Sequence, residues 1–277
     1  MELTLGLTLA MLGAALLHAG WNAIIKSSPD KLLDTALVCG GGALLVTPAL
    51  FLVPAPEAAV RPWLAASCAL HVAYFFAVAS AYRAGDLSHG YPIMRGLAPL
   101  AVALVSIAWF GESPGAAAWA GIALVCGGVL SLGLIGRPQR AATRWALANA
   151  VIIATYTLVD ASGVRAAADP LAYVAWMFFV DTAPFALIVL ALRRRDLPAY
   201  ARGRWPRGLA GGACSAVSYG VAVWAMARAP VGTIAALRET SVIFGALIGA
   251  WLLNEGHVRR RVAGAAVVAA GVALLKA

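Results

Sequence analysis

The chain has 277 residues, of which 62% are hydrophobic and only 12% are charged, and its mean hydropathy is +0.84. A soluble globular domain is about half apolar, so this composition excludes a soluble protein and indicates a polytopic membrane protein. The net charge of +9 comes from basic residues in short links between apolar runs, where such residues set membrane orientation, so we expect no nucleic-acid partner.

Ten apolar runs are long enough, or nearly so, to cross a bilayer as helices. Their approximate limits are 3–25, 32–53, 62–82, 87–110, 114–135, 142–163, 170–192, 207–227, 230–253 and 258–275. Most of the links between them are short and contain turn residues, such as Ser28-Pro29-Asp30. We therefore predict an all-α protein with ten transmembrane helices.

Four cysteines fall inside these runs without any CxxC spacing, namely Cys39, Cys68, Cys126 and Cys214. This pattern favours small packing residues over disulfides or a metal site. The sequence also lacks HExxH, DDxxD and a Ser/His/Asp set at one membrane depth. We therefore predict no metal, no cofactor and no enzymatic activity.

Lysines and arginines are divided unequally between the two sides of the membrane. The odd-numbered links hold fifteen: Lys26, Lys31, Arg83, Arg137, Arg140, Arg144, Arg193, Arg194, Arg195, Arg202, Arg204, Arg207, Arg259, Arg260 and Arg261. The other side holds Arg61, Arg165, Arg228 and Lys276. The positive-inside rule makes the first side cytoplasmic and leaves both termini on the non-cytoplasmic side of a bacterial-type inner membrane.

The second part of the chain repeats the first at a constant offset. Positions 143 residues apart match as Arg95 with Arg238, Glu112 with Glu255, Gly121 with Gly264, and Gly128 with Gly271. The first and sixth spans match more weakly, with Trp21 opposite Tyr156. Because five spans is an odd number, the second repeat must insert upside down. We predict two inverted five-helix repeats, residues 1–136 and 141–277, an architecture that secondary transporters use for alternating access.

Two of the repeated residues, Arg95 and Arg238, are charges inside apolar spans. Arg95 lies about 12 Å into the hydrocarbon, where an arginine costs about 2.5 to 3.5 kcal/mol on insertion scales. A partner or an anionic ligand must offset that cost. Two explanations remain open: a structural ion pair, with Asp181, Asp160 or Glu239 for instance, or a cavity in which the arginines bind a substrate.

The fourth span contains a proline one turn before its arginine. Pro92 removes one backbone donor and frees the carbonyl of Ser88, so we expect this helix to be bent or locally unwound there. Helical spacing places Tyr91 beside Arg95 on one face, which would direct both toward the interface between the repeats.

These features resemble the EamA type of the drug/metabolite transporter superfamily: two five-helix repeats, an aromatic residue in the first helix of each, and a glutamate before a Gly-x6-Gly helix. The resemblance implies transport of amino acids, metabolites or drugs, often outward, through a central cavity lined by helices 1, 3, 6 and 8. Trp21 and Asn22 stand where four-helix members of the superfamily carry a glutamate, which argues against multidrug-cation antiport.

Candidate site residues follow from the buried charges and from the cavity helices that the resemblance implies. The predicted substrate-binding residues are Arg95, Arg238, Tyr91, Trp21, Asn22, Tyr156, His71 and Tyr219. Glu239 and Asp181 are buried acids that could release a proton on each cycle. Burial and a neighbouring arginine act on such acids in opposite directions, so the sequence leaves their role open.

We therefore predict a secondary active transporter, an exporter, for a small anionic or zwitterionic metabolite such as an amino acid, another carboxylate or a phosphonate. The planar fork of a guanidinium matches the geometry of such oxyanions. The expected partners are the substrate, membrane lipid and either protons or a counter-substrate, with the protein a monomer or homodimer. The alternatives are an intramembrane enzyme, a structural membrane protein, or a drug/metabolite exporter without anion preference.

Overall fold

The computed structural model describes residues 4–84, 87–133, 140–251 and 258–276, in which all regular structure is helical. The helices in these residues are α1 (Leu5–Lys26), α2 (Lys31–Leu50), α3 (Arg61–Ala84), α4 (Leu87–Phe110), α5 (Ala116–Gly133), α6 (Arg140–Ala166), α7 (Pro170–Leu192), α8 (Asp196–Met226), α9 (Val231–Arg238), α10 (Ser241–Trp251) and α11 (Val258–Lys276). Glu255, the predicted counterpart of Glu112, lies outside the described residues, as does Arg137.

Six helices, α1, α2, α4, α6, α7 and α8, are long and apolar enough to cross a membrane. They confirm a multi-pass, all-α membrane protein. The apolar parts of α5 and α11 are shorter. For these two helices, and for α3, α9 and α10, the membrane crossing remains a prediction from the sequence.

Aspartates cap the second helix of each half of the chain. Asp30 precedes α2 and Asp169 precedes α7, and each carboxylate accepts two backbone N–H bonds of the first turn at 2.9 to 3.1 Å. These carboxylates satisfy donors that have no partner within the helix, which fixes where both helices begin.

The ninth predicted span is two helices rather than one. Only Glu239 and Thr240 separate the end of α9 from the start of α10. Around this break the backbone bonds join residues three apart, as from Glu239 N to Ala236 O at 3.0 Å and from Ile243 N to Thr240 O at 2.9 Å. The Thr240 hydroxyl also donates to Leu237 O at 2.8 Å. This tightening interrupts the helix directly after Arg238.

The counterpart of this broken helix is continuous. α4 runs unbroken from Leu87 to Phe110 and includes both Pro92 and Pro99. The local unwinding predicted before Arg95 is therefore absent. Each of the two prolines removes one backbone hydrogen bond, and α4 continues through both.

Glycines bring α5 and α11 into close contact. A Cβ atom on Gly121 would lie 2.8 Å from the backbone oxygen of Gly271, and one on Gly128 would lie 3.1 Å from that of Gly264. Any larger residue at these positions would push the two helices apart. These small residues thus allow the two helices to pack closely.

The remaining helices pack around the middle of the molecule. α3 lies against α6, and α1 lies against α8. α4 covers α6, while α10 covers α1, and α2 contacts both α7 and α8. This arrangement brings α1, α3, α6 and α8 together around a central cavity.

Candidate functional site

A small cavity of about 50 Å³ lies between the helices of the two halves. Its walls come from α1, α2 and α3 on one side and from α6, α7, α8 and α9 on the other. Ligand pockets usually measure about 300 to 1,000 Å³, so this cavity is smaller than a typical ligand pocket. Six of the predicted site residues line it: Trp21, His71, Tyr156, Asp181, Tyr219 and Arg238.

Aromatic rings form much of the cavity wall. The His71 ring centroid lies 4.3 Å from that of Tyr156 and 5.5 Å from that of Tyr219. On α1, Trp21 meets His18 edge to face at 5.1 Å. Four helices therefore contribute rings whose spacing is typical of stacked and edge-to-face pairs.

Arg238 brings a positive charge to this cavity. It is the last residue of α9 and only 3% exposed, and its guanidinium carbon lies 5.7 Å from the centroid of the Tyr219 ring. Its Nε atom has no hydrogen-bond partner among the described residues. Within that part of the chain no carboxylate lies at ion-pair distance from the Arg238 guanidinium. Arg238 is thus a buried cation that faces the cavity, and no described residue places a carboxylate at ion-pair distance from it.

Arg95, by contrast, is neutralised by the protein. Its Nε atom donates to Oε2 of Glu239 at 3.0 Å, and its Nη2 atom lies 2.9 Å from Oε1 of the same carboxylate. Both side chains are at most 2% exposed. Arg95 does not line the cavity. For this residue the structure shows the ion pair that the sequence left open as an explanation.

Two other predicted binding residues also lie away from the cavity lining. Asn22 uses its side-chain amide to donate to the backbone oxygen of His18 at 2.8 Å, so the amide is engaged by its own helix. Tyr91 is half-buried on α4, four residues before Arg95. Neither residue is among those that surround the cavity.

Asp181 belongs to a cluster of acidic and polar side chains beside the cavity. Ser67 donates to Oδ2 of Asp181 at 3.1 Å, and Nδ1 of His71 lies 3.3 Å from the same oxygen. Tyr219 donates to Oδ2 of Asp160 in a short hydrogen bond. His71, Asp160 and Asp181 bring potential ligand atoms within 4.8 Å of one another.

The sequence named Asp160 only as a potential arginine partner and did not identify Ser67. Ser67 and His71 are four residues apart on α3, so the helical repeat places them on one face. From this spacing the sequence could have identified Ser67 as a neighbour of His71 in the site. The meeting of Asp160 with Asp181 depends on how α6 packs against α7, which the spacing of the two residues does not reveal.

Ion pairs join the two halves of the chain near both ends of the bundle. At one end, Glu112 accepts from the backbone N–H of Val231 at 2.9 Å and from Arg165 at 2.7 Å. At the other end, Arg204 donates to both oxygens of Asp34, at 2.9 and 2.6 Å. Each contact links the first half of the chain to the second.

The fold and the site together define a polytopic helical membrane protein with a small cavity between its helices that is lined by charged and aromatic residues. Residues 141–277 match the model of the EamA-like transporter family. The chain belongs to this family, within the drug/metabolite transporter superfamily, which confirms the resemblance inferred from the sequence. Members of the family are transporters and not enzymes, in agreement with the prediction.

No curated protein matches the chain at a significant level. Solved structures do: 28 chains match, among them one described as the crystal structure of a protein. It superposes with a TM-score of 0.79 at 21% sequence identity, over 98% of this chain and 96% of the other. The likeness shows that the two share a fold.

Proposed function

We propose that this protein is a secondary active transporter that exports a small anionic or zwitterionic metabolite, such as an amino acid, another carboxylate or a phosphonate, by alternating access. The observation that carries the proposal is Arg238. Its guanidinium is buried, faces the central cavity and has no protein counter-ion among the described residues. A buried charge in this condition is costly, and an oxyanion bound in the cavity would offset the cost.

The chemistry of an arginine suits this class of ligand. A planar guanidinium can donate two parallel hydrogen bonds to one carboxylate or phosphonate group. Trp21, Tyr156, His71 and Tyr219 would surround the rest of the substrate with aromatic and polar groups. Arg95 and Tyr91 would act one layer away, since Arg95 holds Glu239 and does not reach the cavity.

Glycine contacts support the inverted-repeat part of the proposal. By the repeat offset, Gly121 corresponds to Gly264 and Gly128 to Gly271. The observed contacts are Gly121 with Gly271 and Gly128 with Gly264, so each glycine meets the counterpart of the other. Reciprocal contacts of this kind are expected across a two-fold axis. Such an axis would pass between α5 and α11.

The broken helix supports a substrate site at the same place. Secondary transporters often form their sites from discontinuous helices near the middle of the membrane, where unwound backbone lines a cavity. Here the interruption falls at Glu239 and Thr240, directly after Arg238. α9 therefore ends at Arg238, which faces the cavity. α10 begins after Glu239, the acid that binds Arg95, and Thr240.

The proposed orientation follows the unequal distribution of basic residues. Both termini would lie on the non-cytoplasmic side of a bacterial-type inner membrane, with the pair of Asp34 and Arg204 on the cytoplasmic side. Reporter tags fused at Met1 and Ala277 should then report from outside, and a tag between Arg195 and Arg202 from the cytoplasm. Termini found in the cytoplasm would reverse the two faces.

The test of the substrate class is a thermal-stability screen of purified protein against small acids, amino acids, phosphonates, amines and neutral compounds. A ligand at 100 times its dissociation constant stabilises a protein by about 2.7 kcal/mol. We expect stabilisation by compounds that carry an oxyanion, and loss of that effect in Arg238→Gln. Stabilisation by amines or neutral drugs alone, unchanged in Arg238→Gln, would instead favour a drug/metabolite exporter without anion preference.

A further inference from the structure

We propose that Asp160 and Asp181 form a proton-binding pair beside the cavity, and that the proton they hold is the coupling ion of transport. The coupling role rests on the proposed function, whereas the proton site itself does not. Asp160 lies on α6 and Asp181 on α7, and their exposed fractions are 0% and 2%.

In each carboxylate, one oxygen accepts a hydrogen bond and the other has no hydrogen-bond partner among the described residues. Oδ2 of Asp181 accepts from Ser67, and Oδ2 of Asp160 accepts from Tyr219. Oδ1 of each has no hydrogen-bond partner among the described residues. Unpartnered carboxylate oxygens in a buried site are unfavourable, so two such atoms indicate that the cluster holds something more than its own side chains.

The missing component must be positively charged. Potential ligand atoms of Asp160, Asp181 and His71 all lie within 4.8 Å of one another. Two carboxylates at this separation in a buried site repel each other strongly and cannot both be ionised without a compensating cation. A proton shared by the pair would supply that compensation and would bind one of the free Oδ1 atoms.

A metal ion fits this site less well than a proton. Nδ1 of His71 lies 3.1 Å from the backbone oxygen of Ser67, and when Nδ1 carries the proton and donates to that oxygen it has no lone pair for a metal. The carboxylate oxygens without a partner among the described residues are Oδ1 of Asp160 and Oδ1 of Asp181. Ca²⁺ takes about six to eight oxygen ligands, whereas a proton needs one.

Other ionisable groups surround the pair from the helices packed against it. Within the described residues they are Cys68 and His71 from α3, Tyr156 from α6, Tyr173 from α7, Tyr219 from α8 and Arg238 from α9, with His18 of α1 and Cys39 of α2 across the cavity. Among these only Arg238 carries a permanent charge. The pair and Arg238 therefore decide the charge of the cavity.

This charge balance links the proton to the proposed substrate. With one proton on the pair, the remaining negative charge and Arg238 cancel, and with no proton the site has a net negative charge. Tyr219 lies between the acidic pair and Arg238, since its hydroxyl donates to Asp160 and its ring lies under the Arg238 guanidinium. A proton should thus favour the binding of an anion, and by reciprocity an anion should favour the binding of the proton. The two would then cross the membrane together, and the outward gradient of the metabolite itself would drive export.

The test is an infrared titration of the purified full-length protein without substrate. A protonated carboxylic acid has a C=O stretching band that the carboxylate lacks. At neutral pH we expect a band equal to about one carboxyl per molecule from this pair, in accord with two acids that share a proton. The double variant Asp160→Asn/Asp181→Asn should lose that band, since asparagine resembles the protonated acid in shape but has no acidic proton.

The matched control is Asp34→Asn, which removes a buried carboxylate that Arg204 already neutralises. Its spectrum at neutral pH should keep the band. An unchanged band in the double variant would overturn the proposal. Loss of the wild-type band on addition of Na⁺ or Mn²⁺ at constant pH would also overturn it, because a metal ion would then be the preferred occupant.

A milder variant guards against failure of the double variant to fold. Ser67→Ala removes one hydrogen bond to Asp181 and leaves both acids in place. We expect the C=O band to persist at a shifted frequency, and a band identical to that of the wild type would contradict the assignment. None of these measurements uses a substrate, so their failure is separate from a failure of the anion screen.

Discussion

Arg95 and Arg238 occupy equivalent places in the two halves of the sequence and are almost equally buried, at 2% and 3% exposure. Their surroundings nevertheless differ. Arg95 is held by Glu239, while Arg238 faces the cavity without a carboxylate partner among the described residues. Equivalent positions in a repeat have thus taken different roles, one structural and one proposed to bind substrate.

The difference comes from one residue. Glu239 follows Arg238 directly, and the equivalent position after Arg95 is Gly96. Among the described residues, Glu239 is thus the one carboxylate at ion-pair distance from either of these arginines, and it binds Arg95 beside the break between α9 and α10. Because Glu239 binds Arg95, it leaves the Arg238 guanidinium available to a ligand.

The largest expected effect is on the unfolding free energy of the protein, which substitution of Arg95 should lower and substitution of Arg238 should not. Arg95→Met would leave the Glu239 carboxylate buried without a partner, and breaking a buried pair in this way costs about 3 to 5 kcal/mol. Arg238→Met removes a buried charge that has no carboxylate at ion-pair distance among the described residues, so we expect no loss of stability or a small gain. Denaturant unfolding in detergent micelles would measure both free energies.

The double variant Arg95→Met/Glu239→Leu is the matched control for that comparison. Replacing both partners of a buried pair by apolar residues is often neutral, so most of the lost stability should return. If Arg238→Met destabilised the protein as much as Arg95→Met, Arg238 would have a protein counter-ion and the proposed binding role would fail.

The next effect is on ligand affinity. Arg238→Lys keeps the charge but loses the two-pronged donor geometry, so an oxyanion would lose at least one charge-assisted hydrogen bond. Such a bond contributes about 1.5 to 3 kcal/mol, which corresponds to binding weaker by roughly 10- to 150-fold. Isothermal titration with a carboxylate that stabilises the wild type would measure this change.

Arg95→Lys is the control for that measurement, because it alters a buried arginine of the same type outside the cavity. Its effect should appear in unfolding and leave the dissociation constant within a few-fold of the wild type. Equal loss of affinity in both variants would mean that the arginines act on the ligand together, as the sequence alone had suggested.

The smallest effect concerns how the start of α9 is held. Glu112→Gln keeps an oxygen that can accept from Val231 but removes the charge that binds Arg165. We expect a loss of about 1 kcal/mol in unfolding free energy, the usual size for one hydrogen bond. Arg165→Gln should cost more, because Arg165 also donates to the backbone oxygens of Met226 and Ala229, and the double variant should cost little more than Arg165→Gln alone, since the contact between Glu112 and Arg165 is already lost. Additive losses would show that the two residues act separately.

The sequence predicted the helical membrane fold and the family because both depend on long apolar runs and repeated motifs. It also identified Arg95 and Arg238, since a charge inside an apolar run is visible without a structure. It could not assign their partners. Glu239 was a candidate for either arginine, and the choice depended on a two-residue break that the apolar pattern of 230–253 does not show.

The acidic cluster was harder to predict for a different reason. Asp160 and Asp181 are 21 residues apart and lie on helices whose relative rotation is decided by packing. For example, a Cβ atom on Gly163 of α6 would collide with the side chain of Tyr173 on α7, so the small residue at this position helps to set that rotation. Six of the ten candidate residues meet around the cavity, and four of these lie on the helices named by the family resemblance, whereas Asp181 lies on α7 and Arg238 on α9. Asn22 shows that membership of such a helix is not sufficient.

The contact between α5 and α11 has a consequence for the biosynthesis of the protein. Gly121 and Gly128 leave the ribosome well before Gly264 and Gly271, with about 140 residues made in between. At about 5 to 20 residues per second this interval is roughly 7 to 30 s. For that time the glycine face of α5 must be covered by lipid or by the insertion machinery. The helix that fits this face is α11, so the assembly of the first half is completed only after α11 has been synthesised.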